Sequence, residues 1–346
     1  MIEDLEGEFF EDEEVARFEH YKLLVDKGQA PIRIDKFLTD KLSNATRNRV
    51  QNAIDEGTVQ INGQATKANY KIKPGDVITV MLEEPRKDFE VVPEEIPLDI
   101  LYEDKDLLIV NKPAGMVVHP AHGNWTGTLV NGLAYYFNQL PELPGNSGRP
   151  GLVHRIDKDT SGVLVIAKSE KAMTDLARQF FDHSIQRTYI ALVWGEPVED
   201  EGTINAHIGR SAKNRKVMDI YSDGSQGKNA VTHWKVLKKL RYVSLIQCNL
   251  ETGRTHQIRA HMKYLGHPLF NDMMYGGDKI RKGTQFSKYK NFIKNCFEVI
   301  PRQALHAQSL GFVHPTLKKF LHFEIPLPKD MAEVLKKWED YVKFND

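Results

Sequence analysis

Three side chains capable of chemistry, His154, Arg155 and Asp157, lie close together in one loop of the sequence. The loop leads into residues 163–167, a short and mostly β-branched run between a glycine and a lysine, which predicts a buried strand. An ionised carboxylate at the end of such a strand can act as a nucleophile or as a general base. The alternative is an ordinary surface turn, in which Asp157 and the polar residues after it only turn the backbone.

A second polar group occupies residues 250–262, where Thr255 can begin a helix that runs through residues 257–265. The group contains two arginines and two histidines, namely Arg254, His256, Arg259 and His261. Such a set could bind a metal or a phosphate. A metal is disfavoured because His256 and His261 are five residues apart, whereas helix positions three or four apart share a face, and no acidic partner accompanies them. We therefore expect no metal site.

Tyr189 lies within residues 186–195, whose composition predicts a strand. A tyrosine in a strand belongs more often to the core than to a catalytic site, so the position alone does not single it out. The wider pattern of short strands, few helices and hairpin spacing predicts an α+β fold with a mixed, mostly antiparallel sheet.

Length and composition limit the class of protein. A chain of 346 residues with 41% hydrophobic residues can form about two domains, each with its own core. No run approaches ~18 apolar residues, and the acidic N-terminus does not resemble a signal peptide, so we expect no membrane association. The two cysteines, Cys248 and Cys296, lack metal-binding spacing, and we expect a reduced, cytoplasmic protein without disulfides.

The net charge of zero conceals an uneven distribution along the chain. The chain has 47 basic and 47 acidic residues, and residues 1–20 contain nine of the acids but only one of the bases. The remaining residues therefore number 46 bases and 38 acids, a net charge of +8. Such an excess is compatible with an RNA partner, while the acidic start of the chain predicts a solvated tail.

A small module follows the acidic tail. Residues 33–38 and 46–55 have apolar side chains at helical spacing, and residues 58–63 alternate before an Asn-Gly turn. A Lys-Pro-Gly-Asp turn then precedes a strand over residues 77–82. This pattern resembles the RNA-binding module named after small-subunit ribosomal protein S-four. On such a module, four basic side chains would contact RNA phosphates: Lys36, Lys41, Arg47 and Arg49. The alternative for each of them is a solvated helix face.

Charged, proline-containing residues 83–98 predict a linker. The sequence thus predicts four segments: an acidic N-terminal tail (1–29), a small α/β RNA-binding module (30–82), the linker (83–98) and a catalytic domain (99–346).

The loop sequence of residues 154–162, His-Arg-Ile-Asp-Lys-Asp-Thr-Ser-Gly, resembles the signature His-Arg-Leu-Asp-x-x-Thr-Ser-Gly of the RluA-type pseudouridine synthases. Its one departure is Ile156 in place of leucine, which conserves volume. Residues 111–120 and 250–262 continue the match, which extends over about residues 99–328. We interpret the first of these stretches as a scaffold for the active-site loop, with Lys112 and His119 as further candidates for RNA contacts. The resemblance implies the pseudouridine synthase fold, a long bent sheet with the active site in a cleft on one face.

The resemblance also implies roles for individual residues. Asp157 is the catalytic residue, Tyr189 lies against the target base, and Arg259 forms an ion pair with Asp157. Arg155 fills the space that a flipped-out base leaves in the RNA and pairs with phosphate; the alternative for Arg155 is a core salt bridge. Supporting positions within the matched motifs are His154, Thr160, Gly162, Arg254, His256 and Leu305.

The implied reaction breaks the N1–C1′ glycosidic bond of a uridine, turns the base and joins C5 to C1′. It needs neither a redox step nor an external group, and the sequence shows no P-loop and no zinc pattern, so we expect no cofactor. A uridine within a duplex must first be flipped out, at an unstacking cost of a few kcal/mol. The sequence leaves open whether Asp157 attacks the sugar, attacks the base or abstracts a proton.

We expect a cytoplasmic, monomeric RNA pseudouridine synthase. The chain most resembles the branch of the family that modifies large-subunit ribosomal RNA. The resemblance lies in the N-terminal module and in the sequences of residues 117–120 and 252–259. Two alternatives remain, a synthase acting on transfer RNA and a catalytically inert RNA-binding factor for ribosome assembly. The inert factor is disfavoured because Asp157, Tyr189 and Arg259 are all of the required type.

Overall fold

The computed structural model describes residues 18–42, 45–82, 91–120, 124–137, 151–211, 213–214 and 216–344. The chain divides into two compact units, Met1–Glu90 and Val91–Asp346. Most of the predicted acidic tail (1–17) and the first half of the predicted linker (83–90) therefore lie outside the described residues.

The N-terminal unit combines a four-stranded antiparallel sheet, in the order β1-β4-β2-β3, with two helices. Its elements are β1 (Phe18–Leu24), α1 (Ile34–Lys41), α2 (Arg47–Asp55), β2 (Val59–Ile61), β3 (Gln64–Ala65) and β4 (Val77–Leu82). The apolar residues spaced along both helices share one core with the inward side chains of β2 and β4. This arrangement matches the predicted small α/β module.

β1 lies within residues that the sequence predicts to be tail. It pairs with β4 along its length, and Tyr21 and Leu23 pack against the core of the unit, while Lys22 between them is exposed. The unit therefore begins by residue 18 rather than at residue 30. The predicted boundary was wrong because the acidic residues dominate the composition of this stretch, whereas the strand signal comes from only a few inward-facing side chains.

The second unit is built on a ten-stranded sheet in the order β10-β9-β11-β12-β8-β13-β7-β6-β5, with β14 paired to β13. The strands are β5 (Ile100–Glu103), β6 (Leu107–Lys112), β7 (Ser161–Ala167), β8 (Gln186–Trp194), β9 (Glu201–Arg210), β10 (Met218–Tyr221), β11 (Lys228–Lys239), β12 (Val243–Leu250), β13 (Leu305–Val313) and β14 (Phe320–Glu324). All pairings between these strands are antiparallel except β13 with β7. The predicted α+β class with a mixed, mostly antiparallel sheet is confirmed.

Five helices accompany this sheet: α3 (Leu129–Tyr136), α4 (Glu170–Phe181), α5 (Gln257–Tyr264), α6 (Ser287–Val299) and α7 (Lys329–Lys343). The longest of the described helices, α7, has 15 residues, and none of them has the length and apolar character needed to cross a bilayer.

Residues 91–98, the second half of the predicted linker, pack onto the second unit. Val91 and Leu98 contact its core. The Glu94 carboxylate accepts hydrogen bonds of 3.0 and 3.1 Å from the backbone N–H of Gly127. The second unit therefore begins at residue 91 rather than at the predicted residue 99.

The loop that contains Asp157 enters the sheet at β7, whose seven residues are all buried, as the apolar composition predicts. β7 runs parallel to β13 at this point, with Gly162 opposite Ala307. Gly162 has a φ of +131°, and a Cβ at this position would overlap with the carbonyl oxygen of Ala307. Only glycine allows this close approach of the two strands, which explains its place in the signature.

Gly162→Ala should destabilise the second unit by more than about 3 kcal/mol, because the added methyl must displace the backbone of β13 and adopt an unfavourable φ. Gly115→Ala is the matched control. Its φ is also positive, at +86°, but no atom lies within 4 Å of the added Cβ, so the cost is about 1–2 kcal/mol. Urea denaturation measures both losses, and equal losses would contradict the assigned contact.

Candidate active site

A cavity of about 500 Å³ collects most of the residues that the sequence analysis singled out. Its walls come from the loop before β7, from α4, β8, β13 and the start of α5. Nine of the predicted site residues line it: His154, Arg155, Asp157, Thr160, Tyr189, Arg254, His256, Arg259 and Leu305. The volume lies within the range of ~300–1,000 Å³ that is usual for ligand sites.

Asp157 and Arg259 form an ion pair in this cavity. Nη1 of Arg259 donates to Oδ2 of Asp157 at 3.1 Å. Nε and Nη2 of Arg259 donate to the two carboxylate oxygens of Asp272 at 2.7 and 2.9 Å. Arg259 and Asp272 are buried, whereas the side chain of Asp157 keeps 22% of its exposure. Asp272 therefore fixes the guanidinium, and the guanidinium orients Asp157 without closing it off from a substrate.

The charge of Arg259 is stabilised by its two acidic neighbours. Burial disfavours the charged guanidinium, but the hydrogen bonds and negative charge of Asp272, together with those of Asp157, outweigh burial and raise the pKa of Arg259. The guanidinium is thus charged at neutral pH, and the buried charge is compensated, as buried ions require.

His256 lies on another side of the Asp157 carboxylate, with its Nε2 atom 4.0 Å from Oδ2. Its Nδ1 atom lies 3.0 Å from the hydroxyl of Tyr275, and that hydroxyl accepts a hydrogen bond from the backbone N–H of Met218. The tyrosine hydroxyl can therefore donate its proton to Nδ1, and with this assignment of the hydrogen bonds the ring proton lies on Nε2, towards Asp157. Burial lowers the pKa of His256 despite the opposing charge of Asp157, so the ring is neutral at pH 7.

The residues that stabilise the turn before α5 differ from the predicted cap. His256, rather than the predicted Thr255, is the capping residue, with a left-handed φ of 53° and no side-chain cap. Gln257 stabilises the turn instead. Its Oε1 atom accepts hydrogen bonds from the Thr252 hydroxyl (2.8 Å) and the Arg254 backbone N–H (2.9 Å), while its amide group donates to β11. The predicted cap was wrong because a buried amide satisfies these groups.

Tyr189 lies on β8, between Cys248 of β12 and Ala307 of β13. Its side chain is 9% exposed and lines the cavity. Burial raises the pKa of Tyr189, a nearby arginine opposes this change, and the charge of Asp157 adds to it. The hydroxyl is therefore protonated at neutral pH and lies within electrostatic range of Asp157.

His154 and Thr160 stabilise the loop from within. Nε2 of His154 accepts a hydrogen bond of 3.0 Å from the backbone N–H of Val165, and the ring stacks on Phe180 at 4.7 Å. Burial lowers the pKa of His154 to about 3, so the ring is neutral. The backbone N–H of Thr160 donates to the carbonyl of Asp157 at 3.1 Å. These contacts turn the chain so that the Asp157 side chain faces the cavity.

Two buried cations hold the same loop from beneath. The ammonium group of Lys112 donates to three carbonyl oxygens, at 2.7, 2.7 and 2.9 Å, those of Pro113, Met116 and Lys158. Arg302 donates to the carbonyl of Asp159 at 3.0 Å. Lys112 is 1% exposed, and burial lowers its pKa. The interpretation of Lys112 as an RNA contact was wrong: all three of its N–H groups bind the backbone.

Arg155 and Arg254 are the exposed cations of the cavity. Nε of Arg254 donates to the carbonyl of Asn229 at 3.0 Å, which ties the turn to β11. Arg155 forms no ion pair with any residue in the described part of the chain, so the core salt bridge considered for it is not found there.

All four RNA-contact candidates of the N-terminal unit are exposed on α1 and α2, namely Lys36, Lys41, Arg49 and Arg47. The fourth, Arg47, donates from Nε to the buried carboxylate of Asp35 at 3.2 Å and keeps 49% of its side-chain exposure. The same carboxylate binds Arg33 through two hydrogen bonds of 3.0 and 2.9 Å. Asp35 therefore holds two arginines in fixed positions, and the sequence analysis missed Arg33 as a candidate.

Possible metal ligands group together at one place among the described residues, where Asp104, Asp106 and His314 meet away from the cavity. Nδ1 of His314 accepts hydrogen bonds from two backbone N–H groups. Its proton therefore lies on Nε2, which donates to Asp104 at 2.8 Å. Both ring nitrogens are occupied, so this group closes a turn and does not offer a vacant histidine ligand.

Two residues of the site were missed by the sequence analysis. Asp272 follows Arg259 at a distance of 13 residues, and nothing in its surroundings predicts its partner. Arg187 lines the cavity two positions before Tyr189 on the same strand. Because residues two apart on a strand face the same side, the alternation of β8 could have identified it.

Comparison with known proteins identifies the family. The family profile described as RNA pseudouridylate synthase matches residues 106–264, and the profile of the S4 domain matches residues 32–78. An uncharacterized RNA pseudouridine synthase from Chlorobaculum parvum is 49% identical over 315 residues, which cover 90% of this chain and 96% of the relative. Ribosomal large subunit pseudouridine synthase D from Zymomonas mobilis is 45% identical over 307 residues, 88% of this chain and 93% of the relative.

The chain therefore belongs to the RNA pseudouridine synthase family. The predicted enzyme class, an isomerase that converts uridine in RNA to pseudouridine, is confirmed, and so is the N-terminal RNA-binding module as an S4 domain. The solved structure of human RNA pseudouridylate synthase domain containing 4 covers 69% of this chain and 92% of its own length, with a TM-score of 0.50 and 23% identity. That likeness concerns the fold.

Proposed function

We propose that this enzyme converts specific uridines of large-subunit ribosomal RNA to pseudouridine, with Asp157 as the catalytic residue. The observation that carries the proposal is the ion pair of Asp157 and Arg259 in the cavity. Among the described residues that line the cavity, Asp157 is the only acid, and it is accompanied by four arginines. A single carboxylate in cationic surroundings suits a reaction on a polyanionic substrate.

In this proposal Asp157 acts on the target nucleotide while the N1–C1′ bond breaks, the base turns and the C5–C1′ bond forms. C5 loses its proton and N1 gains one, so the product is an isomer and no cofactor takes part. Arg259 holds the carboxylate in position through the ion pair. The ring of Tyr189 packs against the uracil, and its protonated hydroxyl is placed to move a proton. Leu305 contributes to the apolar wall of the cavity.

A cavity of about 500 Å³ can hold one nucleotide but not a duplex. The target base must therefore leave its helix before it reaches Asp157. Arg155 is exposed at the cavity, two residues before Asp157. We assign to it the role of filling the vacated position in the RNA and contacting a phosphate.

Two observations support this choice of RNA. Relatives such as the one from Zymomonas mobilis are named for the large ribosomal subunit, and the S4 domain offers exposed cations for phosphate contacts: Lys36, Lys41, Arg47 and Arg49. With this target, we propose that the enzyme acts in the cytoplasm. We further propose that the enzyme acts as a monomer.

Asp157→Asn should abolish turnover, because an amide can neither attack carbon nor accept a proton at neutral pH. The assay is tritium release from C5 of labelled uridine in a large-subunit ribosomal RNA transcript, and the expected loss is at least about 10³-fold in kcat. The matched control is Asp159→Asn, which removes a carboxylate from the same loop but not from the cavity and should leave kcat within about threefold. Full activity of Asp157→Asn would refute the catalytic assignment.

Mapping of pseudouridines across total RNA, with and without the gene, tests the target. Pseudouridines should disappear from large-subunit ribosomal RNA and return when the wild-type gene, but not Asp157→Asn, is supplied. Loss confined to transfer RNA would replace the target and keep the chemistry. If no pseudouridine were lost from any RNA, the alternative of an inert assembly factor would be favoured.

A further inference from the structure

Arg187 is a buried cation of the cavity that the proposed chemistry does not use. It lies on β8, two residues before Tyr189, so both side chains point to the same side of the sheet. Its side chain is 8% exposed. The guanidinium packs over the ring of Phe180, with its central carbon 5.5 Å from the ring centroid, and it contributes to the lining of the cavity.

The hydrogen bonds of Arg187 leave its charge uncompensated. Nη2 donates to the backbone carbonyls of Leu250 (3.2 Å) and Glu251 (2.7 Å). Nε is buried without any hydrogen-bond partner in the described structure, and no carboxylate of a described residue forms an ion pair with the group. Two neutral carbonyls orient the guanidinium but do not neutralise it. Buried charges are normally paired, so this one calls for an external anion.

The third nitrogen of Arg187, Nη1, lies beside Gly253, where a larger residue would fill the space next to it. A Cβ added to Gly253 would lie 2.9 Å from Nη1 of Arg187. Gly253 itself is exposed and lines the same cavity. The turn before α5 is therefore shaped so that Nη1 can be approached from the cavity.

We propose that Arg187 forms an anion subsite of the cavity that binds an RNA backbone phosphate next to the flipped-out uridine. The proposal rests on the proposed function, because it takes its anion from the RNA substrate. Uracil and ribose are neutral, so the phosphates are the anions that an RNA strand can bring to this point. A guanidinium is well suited to phosphate oxygens. Bound in this way, the phosphate fixes the nucleotide on the side of the cavity formed by β8, while Arg259 of α5 holds Asp157 in place.

A structural role alone would require only the two carbonyl contacts. Those contacts involve only Nη2, one of the three guanidinium nitrogens, and an uncharged hydrogen-bond donor of similar length would form them as well. Burial lowers the pKa of Arg187, because desolvation disfavours the charged form, a cost in the absence of RNA. A phosphate at Nη1 removes that cost, and the site is thereby selective for a charged strand over a free nucleoside.

The test compares Arg187→Gln, Arg187→Lys and Gly253→Ala with the wild type on a large-subunit ribosomal RNA transcript labelled with tritium at C5 of uridine. Arg187→Gln should raise KM at least about tenfold while kcat changes by less than about threefold. Its slope of log Kd against log salt concentration should fall by about 0.7, the value for one lost contact to a single strand. Arg187→Lys keeps a positive charge and should retain the wild-type slope.

Gly253→Ala keeps Arg187 but displaces Nη1, and it should raise KM in the same direction with an unchanged melting temperature. It therefore keeps the test decisive even if Arg187→Gln folds poorly. Arg178→Gln, which removes an 82% exposed arginine of α4 outside the cavity lining, is the matched control and should leave KM unchanged.

Two outcomes overturn the inference. One is a wild-type KM and salt slope in folded Arg187→Gln; the other is a loss of kcat and melting temperature without any change in salt slope, which marks a purely structural role. Both are distinct from failure of the proposed function, in which the wild type itself would release no tritium and the inference would fall with it.

Discussion

One guanidinium shared between two carboxylates is the interaction on which the site depends. Nε and Nη2 of Arg259 donate to the two carboxylate oxygens of Asp272, and Nη1 donates to Asp157. Burying the charge of an arginine without such a partner would cost free energy of folding. A fully buried aspartate, in turn, would not be accessible from the cavity. Both problems are avoided because the two acids differ in burial. Asp272 is fully buried and compensates the charge of Arg259, while Asp157 is half-buried and remains open to the cavity.

The rest of the second unit serves to place the Asp157 loop against this arginine. Gly162 lets β7 and β13 approach each other closely where the loop enters the sheet. Lys112 and Arg302 bind backbone carbonyls of the loop from beneath, and His154 binds the backbone of β7. These contacts act on the backbone rather than on Asp157 itself. The loop is thus positioned by its main chain, and the carboxylate binds Arg259 and remains open to the cavity.

Local sequence patterns predicted the strands that carry the site but not the contacts between them. β7 and β8 were predictable because short, β-branched runs between polar residues are typical of buried strands. The contact of Asp157 with Arg259 joins residues 102 positions apart and was predicted only through the family resemblance. Asp272 and the unpaired state of Arg187 are products of tertiary packing and have no local signal. The N-terminal boundary was misplaced because acidic composition outweighed a short strand pattern over Phe18–Leu24.

We propose that the geometry of Arg259, and not its charge alone, keeps Asp157 active. Arg259→Lys tests it directly, because an ammonium group retains the charge but cannot bind Asp272 through two donors and still reach Asp157. The measurement is the single-turnover rate of tritium release at saturating RNA, with the melting temperature and RNA affinity recorded beside it. We expect a rate at least about 100-fold below that of the wild type, with RNA affinity unchanged. A folded variant that reacts within about twofold of the wild-type rate would contradict it.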